Sequence, residues 1–125
     1  MRFLSMIRIN ENSGMAPSEK LMSDMGKLIE EMTRAGALVS TAGLRPTSEG
    51  ARVRLSRGKV STVDGPFAET KEVIGGYAIL EAKSKAEAIE LTKRFLLIHG
   101  EEWDIECEVR QLAEPDFGAA CNAAA

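Results

Sequence analysis

Two stretches of helical periodicity, each set between runs that alternate like strands, constrain this 125-residue chain more than any other feature. In the first, Pro17-Ser18 reads as a helix start. Leu21, Met25, Leu28, Ile29 and Met32 then recur at helical spacing, with Lys20, Lys27, Glu30 and Glu31 between them, and Gly36 closes the run with a left-handed cap. The pattern predicts a helix over 18–35. In the second, Ser84-Lys85-Ala86-Glu87 is a capping box, in which hydroxyl and carboxylate satisfy each other's orphan N–H groups. Ala88, Ile89, Thr92, Phe95 and Leu96 form its buried stripe to residue 98, and Gly100 stops it.

The strand runs bracket these helices. Residues 2–9 (RFLSMIRI) carry apolar side chains on both faces, as an interior strand does, and residues 37–43 (ALVSTAG) form a second. In 73–82, Tyr77, Ile79 and Glu81 share one face and Ala78, Leu80 and Ala82 the other, while Gly75-Gly76 admits a bulge or a close backbone approach. In 104–113, Ile105, Cys107 and Val109 alternate with Glu106, Glu108 and Arg110. Residues 51–63 read as a β-hairpin turning at Arg57-Gly58 and appended to the main sheet, followed by a loop over 64–72. The order is β, α, β, hairpin, β, α, β. It predicts an α+β fold, the ferredoxin-like plait of two helices on one face of an antiparallel sheet, in a single domain over 1–113 with a tail over 114–125. Helices cover only one face of such a sheet, so the other is solvated, carries a ligand or stacks on a second copy. Met and Ile on both faces of the first strand argue against solvation, and a homodimer joined through the sheets is expected.

Composition narrows the partners. Sixteen Lys+Arg against 19 Asp+Glu give a net charge of −3, and with one Trp and one Tyr there is no basic stripe with stacking aromatics, so nucleic acid is excluded as a partner. No apolar run approaches a membrane span and two arginines interrupt the N-terminal one, so no membrane partner and a cytoplasmic location are expected. Cys107 and Cys121 lack CxxC spacing and His99 is the sole histidine, which leaves no metal site. Neither GxSxG nor a phosphate-binding GxxxxGK[ST] occurs, and no cofactor is expected. A domain this small is expected to need a partner subunit for any deep pocket.

The run Asp64-Gly65-Pro66-Phe67-Ala68-Glu69-Thr70-Lys71-Glu72, followed by Gly75-Gly76-Tyr77, resembles the signature of the DGPF-domain branch of the YCII-related family. The resemblance implies a dimeric α+β barrel in bacterial cytoplasm, often encoded beside extracytoplasmic-function sigma factors and without a settled biochemical role. The wider family's pairing of a histidine with an aspartate implies acid–base chemistry. This chain departs from that pattern, since His99 lies at the end of helix two, where a positive charge suits the helix dipole.

Asp64-Gly65-Pro66 is turn chemistry, with Asp64 accepting backbone N–H groups, Gly65 taking a conformation other residues resist and Phe67 pinning the loop. The same loop sets titratable groups side by side. Asp64, buried against Phe67, would serve as a base, with Glu69 and Lys71 as its catalytic neighbours. Arg45, Arg52 and Arg54 would converge on a small anionic ligand, and Tyr77 would supply a donor at the rim; the structural counterpart is a solvated face in which Arg52 and Arg54 pair with Glu106 and Glu108. These residues place a cleft at the open sheet face, where a small polar or anionic molecule would undergo proton transfer or elimination. The alternative is a non-catalytic interaction module linked to a sigma factor or stress response.

Overall fold

A computed structural model describes residues 1–14, 16–67 and 72–113. Strand β1 (Arg2–Ile9) leads to helix α1 (Glu19–Arg34) and strand β2 (Leu38–Gly43). A 3-10 turn (Thr47–Glu49) then introduces β3 (Ala51–Ser56) and β4 (Lys59–Asp64), and β5 (Val73–Glu81), α2 (Lys85–Leu97) and β6 (Glu106–Gln111) complete the order. The main sheet runs β2-β5-β1-β6, antiparallel throughout. That is the split βαβ order expected from the sequence, and β3–β4 forms a separate two-stranded sheet.

Both helices end where their caps dictate. Ser18 Oγ accepts the Leu21 N–H at 3.1 Å to open α1. At its other end Gly36 takes φ +76°, while its amide and that of Ala37 reach back to the Thr33 and Met32 carbonyls, a paired closure that a Cβ at Gly36 would resist. Helix α2 opens on Ser84 Oγ, which accepts from the Glu87 amide at 3.1 Å. The reciprocal half of the box differs from expectation: the Glu87 carboxylate reaches the amide of Lys83 rather than that of Ser84.

Alternation along the strands assigns the two faces. Phe3, Ser5, Ala78 and Leu80 are buried beneath the helices and meet Leu28 and Met32 from α1 and Ala88 and Thr92 from α2. Ile89, expected in the buried stripe of α2, is instead 37% exposed, because the sheet presents only enough surface for Ala88, Leu91, Thr92 and Phe95. On the other face Met6 stands opposite Tyr77 and Leu4 opposite Ile79, all half-buried in the absence of any helix. Charged pairs rim this apolar centre, Arg2 with Glu81 and Arg8 with Glu72 and Glu106.

The register slips between Ile7 and Arg8, which face Gly76 and Ile74, so Gly75 is the extra residue of a bulge. A Cβ there would come within 2.6 Å of the Ile9 side chain. Arg57 (φ 54°) and Gly58 (φ 78°) make the left-handed two-residue turn that suits a hairpin. Among the described residues no helix is long and apolar enough to cross a membrane.

Candidate functional site

The largest consequence of the strand pairing lies at the end of the sheet where β2 finishes and β5 begins. Gly43 pairs with Gly76 and Thr41 with Ala78, so the floor there is paved with residues that have little or no side chain. Helices α1 and α2 pack on this face of the sheet. A cavity of about 370 Å³ remains between them, roofed by Met25 and Ile29 of α1 and Phe95 and Leu96 of α2. A single chain therefore forms a half-open, ligand-sized recess, because small floor residues leave room beneath the helices.

Few polar groups reach this space. The Ser5 hydroxyl lies 3.2 Å from that of Thr92, which is also 2.9 Å from the Ala88 carbonyl. Thr41 donates to the Tyr77 carbonyl at 2.8 Å. Cys107, on β6, borders the cavity beside Ser5, and burial raises its thiol pKa, opposed by the Ser5 hydrogen bond, so the sulfur is a neutral thiol near pH 7. His99, just past α2, borders it too. Its Nδ1 lies 2.8 Å from the Phe95 carbonyl, an acceptor only, so Nδ1 donates to it. Trp103 packs against the same ring edge-on, with centroids 5.4 Å apart. No Lys, Arg, Asp or Glu is among the described residues lining the cavity.

The motif lies elsewhere. Beside it, Leu44–Thr47, Gly50–Arg52, Phe67 and Glu72–Ile74 border an open groove of about 470 Å³. Arg45 and Phe67 share this groove with Arg52, whose guanidinium sits 4.0 Å from the centre of the Phe67 ring. Arg45 also chelates Glu49 through Nε and Nη2, at 3.3 and 3.0 Å. Arg54 stands opposite Ser61, one step further along the hairpin. Glu106 and Glu108 pair with Arg8 and Arg110, not with Arg52 and Arg54, because the hairpin leaves the sheet at the edge opposite β6.

Asp64 is exposed at the end of β4, facing Ala51, rather than buried against Phe67. Tyr77 borders the cavity rather than the motif groove, and strand alternation sets its side chain opposite Met6 on the open sheet face. Glu69 and Lys71 lie outside the described residues, as does the 114–125 tail with Cys121.

Gly65 is constrained differently from expectation. Its φ is not in the left-handed region, but a Cβ on it would stand 1.6 Å from the Thr47 carbonyl oxygen. Contact with the 3-10 turn, not torsion, requires glycine. Thr47 is held in turn by Glu11, whose carboxylate accepts from its amide at 3.1 Å and from its hydroxyl, and these bonds lower the Glu11 pKa.

Of the residues bordering the cavity, Tyr77 and Gly75-Gly76 stand out in the sequence, whereas Ser5, His99 and Cys107 carry no local signal for it. His99 was legible only as a helix-end charge and Cys107 only as a strand residue. The one available signal was the concentration of Gly and Ala at 42–43 and 75–78, where two strands were expected.

Comparison with known proteins comes from three directions. The family model described as the YCII-related domain matches residues 1–98. An uncharacterized protein of Rhizobium meliloti (strain 1021) is 36% identical over 75 residues, which span 60% of this chain and 60% of that relative, less than two thirds of its length. Among solved structures, CutA from the phytopathogen Xylella fastidiosa aligns over 98% of this chain and 95% of its own, at 11% identity and a TM-score of 0.39. The divalent cation tolerance protein of Thermus thermophilus aligns over 97% and 93%, at 13% identity and a TM-score of 0.40. Likeness this loose carries no chemistry across.

Proposed function

Since the chain belongs to the YCII-related domain family, we propose that it is a small-molecule binding protein, dimeric through its open sheet face, whose ligand occupies the cavity between helices and sheet and hydrogen-bonds to His99. One observation carries this reading: an apolar cavity of about 370 Å³, bordered at a few points by Ser5, Cys107 and His99. Volumes of roughly 300–1,000 Å³ with apolar walls and a few polar groups are what small-ligand sites present. Without a cation on its walls the cavity suits an uncharged molecule with one hydrogen-bonding end. The neutral Cys107 thiol is a weak donor rather than a nucleophile, and the His99 imidazole is the stronger hydrogen-bonding group at the wall.

Calorimetric titration with indole and naphthol tests the assignment. Cys107→Phe, which fills the cavity, is expected to abolish binding while circular dichroism stays unchanged; equal binding by both proteins would move the site elsewhere. His99→Gln is expected to weaken naphthol binding, with circular dichroism again unchanged.

A second reading is favoured by the convergence of Arg45 and Arg52 on the groove at Phe67. There Arg45, Arg52 and, further out, Arg54 would hold a carboxylate or phosphate, with Asp64 as base and Glu69 and Lys71 from the same loop. Phosphate binding lost in Arg45→Ala, and turnover lost in Asp64→Asn, would support it over the cavity.

A further inference from the structure

The hairpin β3–β4 buries none of its residues. Val53, Leu55 and Val60 share one of its faces and are 69%, 71% and 69% exposed. A two-stranded ribbon with three bare aliphatic side chains is marginal in water and calls for a covering surface.

The opposite face carries Arg52, Arg54 and Lys59, and charge identifies what it meets. Residues 51–63 carry Arg52, Arg54, Arg57 and Lys59 and no acid. Residues 101–108 carry Glu101, Glu102, Asp104, Glu106 and Glu108 and no base. Among the described residues, Arg54, Arg57 and Lys59 make no ion pair, nor do Glu101, Glu102 and Asp104. Arg8 and Arg110 offset only Glu106 and Glu108.

Within one chain the two regions cannot meet. The hairpin is inserted after edge strand β2, whereas the acidic segment leads into β6 on the other edge, with β5 and β1 between. They nevertheless lie at the same end of the sheet, since Ile9 pairs with Val73 and Arg8 with Glu106. Two sheets stacked face to face admit two simple symmetries. A two-fold axis across the strands sets like edges together and exchanges the ends. An axis parallel to the strands sets the β2 edge over the partner's β6 edge and keeps each end in place. Only the second brings a basic hairpin to an acidic segment, and it does so twice.

Resting on the sheet-to-sheet dimer proposed above, we infer that the hairpin is a dimerisation arm, whose cations engage residues 101–108 of a second copy about a two-fold axis parallel to the strands. Arg54 and Lys59 stand on the ribbon face opposite Val53, Leu55 and Val60, so the acidic segment takes the charged face of the arm. Complementary charge of this kind fixes orientation as well as affinity.

A charge-swap experiment separates the possibilities. Arg54→Glu/Lys59→Glu is expected to raise the dimer dissociation constant by about tenfold or more in sedimentation equilibrium at low salt, as is Glu101→Lys/Glu102→Lys. Mixing the two variants should restore dimerisation as a heterodimer, because both of its contacts are then complementary. A wild-type chain that stays monomeric at all concentrations would overturn the sheet dimer itself. A wild-type dimer indifferent to both variants, or variants not rescued by mixing, would overturn the arm and leave the sheet dimer standing.

Discussion

Gly65 shows how one absent atom holds a loop. Its backbone lies against the Thr47 carbonyl so closely that the position of a Cβ is only 1.6 Å away, and its amide donates to the Gly50 carbonyl at 2.9 Å. Gly65→Ala must push the 3-10 turn off the hairpin base, and a loss of about 1–3 kcal/mol is expected in urea denaturation. Gly26 is the contrasting case. It sits inside α1 with nothing within 4 Å of a Cβ, so Gly26→Ala should stabilise by about 0.5–1 kcal/mol in the same assay. Glu11 adds a pH-dependent element to this contact. Thr47 lowers its pKa in the folded chain, so its contribution is complete above the ordinary carboxylate range and disappears as pH falls through the folded value. Stability measured from pH 7 to pH 3 should therefore show wild type above Glu11→Gln at neutral pH, with the two curves converging at the acid end.

Elements read easily where the information is local, and less so where it is not. The caps of α1 and α2, the Arg57-Gly58 turn and the Gly75 bulge each depend on a few neighbouring residues, and each is found where periodicity and turn chemistry put it. The Ser84 cap gives a direct measure: Ser84→Ala removes the acceptor for the Glu87 amide and should cost about 1 kcal/mol in equilibrium unfolding. Glu87→Ala should cost less, because the carboxylate makes only a 3.4 Å contact to Lys83. The clasp between Glu11 and Thr47 spans 36 residues, and nothing near either residue announces the other. The cavity is harder still to foresee. It comes from pairing the Gly43 end of β2 with the Gly76 end of β5, so that missing side chains coincide beneath two helices. Alternation alone could show that these residues were small. It could not show that they would share a floor, whereas the charge-dense motif is a distinctive run of residues visible without tertiary structure.

At the scale of the whole molecule, the sheet separates two tasks that a chain of this size could not otherwise keep apart. Its helix-covered face holds the core and the cavity. Its open face, with Leu4, Met6, Tyr77 and Ile79 inside a charged rim, adds nothing to that core. Ile79 tests the division, because its side chain and the cavity lie on opposite sides of one sheet. In Ile79→Arg a cation would replace an apolar group in the middle of the proposed dimer contact, where it would be desolvated without a partner, a cost of several kcal/mol for a dimer though not for a monomer exposed to water. Light scattering should find the variant monomeric at concentrations where wild type is dimeric. Circular dichroism should be unchanged, since Phe3, Met32 and Leu80 stay buried on the other side. Indole binding should persist in the monomer, because the cavity is lined by α1, α2 and the sheet of the same chain. Loss of binding together with the dimer would mean instead that the partner completes the site, and the two faces would then be coupled rather than independent.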